Sequence, residues 1–323
     1  MDNCNKAFRI SVVLTTYNGE NFLSQCLDSV LNQSYKNFEF IIIDDGSTDS
    51  TNNIIRLYAK KDQRIRFYVL NHVGPTYALN IGIAKSREKW VARIDQDDIW
   101  REDKLEKQVL LLKRNKKIIL LGSSSCEIDI AGNFIRRFHY PTSDFFLRRN
   151  LMKFKPFFAH SSVIYRTSIF RKIGGYNHLF FMADDWNLWT EFAKRGLISS
   201  IDQPLVKIRR HTSQRSFFDG GRLQINHAIA SSALLYPFMK NVRGDKFFIN
   251  WVNSELEKCR YYKKKIDFKK IKKDYISKKI FFKKFFVIFN YLISDFSNFF
   301  ILFENFFGSA LPYKLAKKWK KNK

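Results

Sequence analysis

Through the first 130 residues, short apolar runs alternate with segments whose apolar positions recur every three or four residues. The runs at 8–14, 38–43, 65–70 and 89–94 are rich in β-branched and aromatic residues and end in polar ones. That texture predicts four buried strands. Between them, Leu23, Leu27, Val30 and Leu31 predict a helix over 20–33, and Ile54, Ile55 and Tyr58 a second one after Asp49, a capping residue type. Pro75, favoured in a first turn, opens a third helix over 75–84. A fourth starts near Glu102, with acids in its first turn and Leu105, Val109 and Leu112 on one side. Strand–helix alternation at this spacing implies an α/β fold with a mostly parallel sheet covered on both faces. Such sheets bind ligands just beyond the carboxyl ends of their strands. After Lys117 the pattern is less regular. It predicts strands at 118–122, 134–138, 162–165 and 205–208, a turn at 131–133, and a helix at 184–194 stopped near Gly196. No internal repeat or Gly/Ser linker interrupts the chain.

Composition adds bounds. With 323 residues, 45% of them apolar, the chain can form one large α/β domain with an appendage or two modest domains. Cys4, Cys26, Cys126 and Cys259 lie far apart with no Cys-x-x-Cys pair, which suggests neither a zinc site nor a disulfide framework and fits a reducing compartment. Residues 1–6 contain no apolar segment of the kind a secretory signal needs. The net charge of +27 is uneven: from Lys258 onward there are nineteen Lys and Arg against four acids. Basic chains attract nucleic acid, anionic membranes or phosphorylated small molecules, and charge alone does not choose among them. The texture changes around residue 240, placing a soft boundary at 222–245.

Three polar clusters fall at predicted strand ends. Thr15-Thr16-Tyr17-Asn18-Gly19 offers hydroxyls and a ring to a flat base, and also reads as ordinary loop and capping chemistry. In Asp44-Asp45-Gly46-Ser47-Thr48-Asp49, a carboxylate can accept from a base N–H or from ribose hydroxyls; a turn followed by a helix cap is the alternative. Asp95-Gln96-Asp97-Asp98 is the sharpest of the three, because three carboxylates within four residues repel one another unless solvated or sharing a cation. Asp95 and Asp97 can present oxygens to one hard divalent ion, Mg²⁺ or Mn²⁺, which would neutralise a diphosphate. Farther on, Asp184-Asp185 opens a helix, where a carboxylate can remove a proton from a hydroxyl or simply favour the helix dipole. His160 and His211 are further candidates for metal or phosphate contact. Three acids at one cleft argue against nucleic acid as the partner, since they repel phosphate without a cation. No Gly-x-Gly-x-x-Gly follows the first strand, which argues against a dinucleotide site.

Taken in order, these runs resemble glycosyltransferase family 2, with the GT-A fold and inverting sugar transfer. The resemblance is carried by residues 12–18, 29–35, 43–49, Asn71 with Gly74, 78–82 and 94–98, then His160-Ser161-Ser162-Val163, Gly174-Gly175-Tyr176, Asp184-Asp185-Trp186 and Arg209-Arg210-His211. It implies a catalytic domain over 1–225, its nucleotide-sugar half about 1–100 and its acceptor half about 101–225. Thr15, Tyr17, Asn18, Asn80 and one or both of Asp44 and Asp45 would bind the nucleotide sugar. Asp95 and Asp97, with Asp98, would form the Asp-x-Asp site for Mn²⁺ or Mg²⁺ and the donor diphosphate, and His211 would approach that metal. Asp185 would be the general base, with Asp184 as the alternative. The chain has Leu79 where many relatives have Arg, and Asp184 where they have Glu. The resemblance further implies a UDP-sugar donor and an acceptor sugar that is commonly lipid-linked, in bacterial O-antigen, capsule or exopolysaccharide synthesis at the inner face of the cell membrane.

Residues 226–323 are read from composition alone. Eleven Phe lie between Phe281 and Phe307, with Asn290, Ser294, Ser297, Asn298 and Asn305 at helical spacing. Burying Asp295 in mid-membrane would cost roughly 2.5–3.5 kcal/mol. A helix lying among anionic headgroups is therefore expected over one that spans the bilayer; packing against the catalytic domain or another subunit is the other reading.

Overall fold

The computed structural model describes residues 8–152, 157–177, 184–212 and 214. The expectations for 226–323 lie outside the described residues.

The first half follows the sequence pattern closely. β1 (Ile10–Thr16), β2 (Phe38–Asp44), β3 (Ile65–Val69) and β4 (Trp90–Asp95) alternate with α1 (Leu23–Leu31), α2 (Thr51–Lys61) and α3 (Pro75–Ala84). The four strands pair in parallel in the order β3-β2-β1-β4. Their near-continuous apolar runs are explained by burial on both faces. Ile10, Val12, Leu14, Phe40 and Ile42 join a core with Leu27 of α1 and Ile55 of α2. Val13, Ile41 and Ile43 point to the other face and pack with Ala78, Leu79 and Ile83 of α3. Gly82 lets α3 lie directly on that floor; a Cβ there would stand 2.9 Å from both Ile43 Cγ1 and Val13 Cγ1.

The second half turns the sheet mixed. A short β5 (Ile99–Trp100) precedes α4 (Lys104–Arg114), β6 (Ile118–Ile128), β7 (Phe134–Phe138), α5 (Asp144–Met152), β8 (Ile164–Arg166), α6 (Thr167–Ile173), α7 (Asp184–Arg195) and β9 (Leu197–Arg209). β8 lies antiparallel between β4 and β6, β9 runs parallel to β6, and β5 closes the edge antiparallel to β9. β6 and β9 are longer than their apolar runs predict. Ser123, Ser124, Ser125 and Glu127 on β6 are buried, and two of the serines hydrogen-bond to distant chain: Ser124 Oγ donates to Asp202 Oδ1 at 3.1 Å, and Ser125 Oγ lies 3.3 Å from Tyr140 Oη. Pro204 sits in β9 where the β6–β9 register shifts, a position that needs no ladder donor. The helix expected over 20–33 is shorter, because Gly19 O accepts the Phe22 and Leu23 amides and opens α1 at Leu23.

Candidate active site

The register brings the three strand-end clusters level. Thr16 pairs with Asp44 across β1–β2, and Thr15 with Asp95 across β1–β4. Gln96 then staples the first cluster to the third. Its Oε1 accepts from Thr16 Oγ1 (2.5 Å) and from the Tyr17 amide (2.9 Å), while a Cβ at Gly19 would stand only 2.7 Å from that oxygen.

The acids of the second cluster are tied to the main chain. Asp44 is fully buried; its Oδ1 accepts the Ser47 amide (2.9 Å) and its Oδ2 the Asn52 side chain (3.1 Å). Asp45 receives the Val73 and Gly74 amides on separate oxygens at 2.7 and 2.9 Å, fixing the turn into α3. Gly74 has φ 94°, which suits glycine. Asn18, at φ 47°, accepts the Thr48 amide through Oδ1 and donates its own amide to Ser47 Oγ, both at 2.9 Å. Asn80 is similarly occupied, exchanging two hydrogen bonds with the Tyr176 peptide. Among the residues expected to hold the nucleoside, Thr15 is half-buried and Tyr17 is 41% exposed, its ring 4.2 Å from that of His72. His72 gave no sequence signal. Leu79 is buried in the core beneath α3.

The third cluster divides. Asp95 and Asp97 keep side-chain exposures of 38% and 15%, whereas Asp98 is buried. Asp98 Oδ2 accepts from Ser161 Oγ, and its Oδ1 accepts the Arg209 amide at 3.2 Å. Burial, with the charges of Asp97 and Asp95, drives its carboxyl well above the ordinary range. Asp98 thus joins β9 to the acidic loop and does not share the open side with its neighbours. Burial opposes ionisation of Asp95 too, but the Arg93 guanidinium and His160 outweigh it, and its pKa is lowered. Arg93 is itself buried, with Nη1 2.5 Å from Asp95 Oδ2.

Asp97 Oδ2 meets His211 Nε2 at 2.9 Å, and the His211 ring lies 4.8 Å from Phe22. Among the described residues, no three His, Cys, Asp or Glu side chains come together in a group that could hold a metal ion. A carboxylate and an imidazole face to face, with Asp95 on the same loop, instead fit a hard ion that takes its remaining ligands from water and phosphate. His160 is held elsewhere, its Nε2 2.7 Å from Tyr176 Oη. Arg209, buried and overlooked in the sequence, fixes the loop from below: Nε donates to Asp97 O (3.2 Å), Nη2 to Gln25 Oε1 (2.6 Å) and Nη1 to Ile130 O (2.9 Å).

At the start of α7, Asp184 is buried and its Oδ2 accepts from Thr76 Oγ1 at 2.9 Å, pinning α7 to α3. Asp185 is only partly buried, and its pKa is raised to about 7 by burial and by the Asp184 charge, with Asp95 adding to the effect. A carboxylate that releases its proton near neutrality and senses the Asp95 charge is suited to general-base work at this cleft.

The family model for glycosyl transferase family 2 matches residues 11–174, half of the chain. The chain belongs to this family. An uncharacterised glycosyltransferase of Rickettsia felis is 30% identical over 266 residues, 81% of this chain but 42% of that protein. The chain spans between 34% and 43% of the length of three Rickettsia relatives. The O-antigen biosynthesis glycosyltransferase WbnJ of Escherichia coli is 29% identical over 56% of this chain and 70% of its own length. Among solved structures, residues 1–349 of S. aureus TarS superpose with a TM-score of 0.56 at 19% identity, over 70% of this chain and 66% of that one. The mannosyltransferase PcManGT of Pyrobaculum calidifontis, solved with GDP-Man and Mn²⁺, gives 0.51 at 17% identity, over 77% and 80%. These two likenesses establish the fold. The chain thus has the GT-A type α/β architecture of its family.

Proposed function

We propose that the chain is an inverting, divalent-cation-assisted glycosyltransferase that moves a sugar from a nucleoside-diphosphate donor, preferably UDP-linked, to a hydroxyl of a lipid-linked acceptor sugar in bacterial surface-polysaccharide synthesis. The observation that carries it is a pair of acids of two kinds, the second of which feels the charge of Asp95 on the loop of the first. Asp97 stands against His211, and Asp185, poised near pH 7, opens α7. Asp185 takes the proton of the acceptor hydroxyl as the oxygen attacks the anomeric carbon. The bond to the diphosphate breaks on the opposite side, and its electron pair leaves with the nucleotide, so no covalent enzyme intermediate is needed. Asp97 and His211, with Asp95 adding its charge from the same loop, would hold Mn²⁺ or Mg²⁺, which would neutralise charge on the departing diphosphate. The Tyr17 ring, with Thr15 and Asp45, would receive the nucleoside. The likeness to WbnJ supports an O-antigen or related polysaccharide as product, and the Phe-rich, basic composition of 226–323 supports work at the inner face of the membrane.

Calorimetric titration with UDP, GDP and their sugars, with and without Mn²⁺, tests this. We expect binding of one nucleoside diphosphate that requires the cation and is lost in Asp97→Asn, a variant that keeps a hydrogen-bond acceptor toward His211. Cation-independent binding of equal strength in that variant would overturn the metal assignment, and no binding of any donor would overturn the transferase reading.

A further inference from the structure

β7 pairs only with β6 among the described residues, and its sequence Phe-Ile-Arg-Arg-Phe is exposed along nearly all its length. Together with the preceding turn it displays three large apolar side chains within six residues: Ile130 at 63%, Phe134 at 64% and Ile135 at 47% exposure. Single exposed apolar residues are ordinary, but a cluster at one hairpin tip marks a contact surface.

Cations collar this tip. Arg137 of β7 and Lys207 of β9 flank Cys126 across the sheet, and Arg136 lies opposite Glu127. Two acids face them. Glu127 pairs with both Arg136 and Arg210, and Asp129 is engaged by Asn133 at the turn. Four cations against two carboxylates leave the collar positive. An apolar wedge ahead of a basic ring matches the layering of an anionic bilayer, in which aromatic and aliphatic groups enter the acyl boundary while Arg and Lys stay with the phosphates. Self-pairing of the edge is a poorer fit, because antiparallel β7 strands centred on Arg136 would set like charges opposite one another. Nucleic acid would use the cations and could stack one base on Phe134, but it would leave the aliphatic Ile130 and Ile135 without an apolar partner.

We infer that the β6–β7 hairpin tip is a seat for an anionic lipid surface, separate from anything residues 226–323 contribute. Arg209 gives the seat a consequence for the active site. One guanidinium donates to Ile130 O in the tip and to Asp97 O in the acidic loop. Docking the tip therefore fixes the catalytic loop at a set distance from the bilayer, where a lipid-linked acceptor would present its sugar. The inference rests on the proposed function only for that choice of acceptor.

The test attaches an NBD fluorophore to Phe134→Cys in the full chain, with Cys4, Cys126 and Cys259 replaced by Ser; Cys26 is buried. With vesicles of phosphatidylglycerol and phosphatidylethanolamine, the emission should shift to the blue and be quenched by nitroxide near the top of the acyl chains. Vesicles of phosphatidylcholine alone should cause neither change. Arg137→Glu should weaken the response roughly fivefold or more. A label that stays in water while the chain sediments with the vesicles would overturn the seat and leave membrane binding to other residues. Failure to bind phosphatidylglycerol vesicles, or a concentration-dependent shift without lipid, would overturn it too, the latter in favour of a second copy. If the label enters lipid but no donor binds in calorimetry, the transferase reading fails and the seat stands.

Discussion

At the end of β2, acids are engaged by main-chain donors: Asp44 and Asp45 together accept three backbone amides. At the end of β4 and the start of α7, acids stand beside acids. Asp98 is buried within reach of the charges of Asp95 and Asp97, and Asp185 lies next to Asp184. The first arrangement is a finished cradle whose carboxylates already shape loops, so a ligand meets it preformed. The second stores unfavourable charge that a proton, a cation or a buried arginine relieves, and Arg93 is already in place to do so. On the proposed function, binding geometry would fall to the settled region and proton chemistry to the strained one, where catalytic groups need shifted pKa values.

The strongest way to break that contrast is Asp185→Asn. Loss of a general base costs roughly 10²- to 10⁴-fold in turnover, with donor binding little changed. In the wild type, the base must be ionised, so kcat/KM should fall tenfold per unit as pH drops below about 7 and level off above it. Stability should respond with the opposite sense. The folded pKa lies above the ordinary 3.8, so the folded state binds this proton more tightly, and ionising the group destabilises the fold. Asn, which mimics the protonated acid, should leave stability unchanged below about pH 3.8, raise it progressively between the two values and give its full gain above about 7. A thermal-melt series across pH checks this. A variant that is equally active, or no more stable at pH 8, would remove Asp185 from the strained region.

The two regions also differ in how far their residues announced themselves. The parallel block was legible because burial on both faces writes continuous β-branched runs, and polar residues mark the strand ends. β6 and β9 were half hidden: Ser123, Ser124 and Ser125, or Asp202, Gln203 and Pro204, read as loop, and only distant partners make them strand. In α5 the exposed Phe145 and Phe146 blur the apolar period set by Leu147 and Leu151, and α6 spans only seven residues. Within the site, the acids were visible as local runs. Their controllers were not, because Thr76 reaches Asp184 across 108 residues and Arg209 reaches Asp97 across 112, and such pairings have no local pattern. Arg93 left a faint mark, a charge inside the apolar run Val91-Ala92-Arg93-Ile94.

Packing sharpens the comparison at lower cost. Gly122 on β6 faces Phe158, whose Cδ1 would lie 2.1 Å from an added Cβ, whereas at Gly82 the nearest atoms would be 2.9 Å away. Gly122→Ala should destabilise by about 1–3 kcal/mol as Phe158 is displaced, and Gly82→Ala by less. At about 2–4 °C per kcal/mol for a domain of this size, melting curves resolve the difference. If Gly82→Ala melts lower, the donor half is the less tolerant of the two.

The smallest effect tests whether the donor cradle is preformed. Asn18 contributes two separable things: a left-handed backbone at φ 47° and the Oδ1 that accepts the Thr48 amide at 2.9 Å. Ala at this position loses both, about 1 kcal/mol for the exposed hydrogen bond and about as much again for the backbone. Asn18→Gly loses only the bond, so it should sit within about 1 kcal/mol of the wild type, and its nucleotide affinity should fall only a few-fold. If the side chain instead touches the donor directly, Gly and Ala would weaken nucleotide binding equally while differing in stability. Calorimetry and thermal melts on the same two variants separate these cases, because for a loop-holding residue affinity follows stability from Gly to Ala, whereas for a ligand-contacting one affinity falls equally in both.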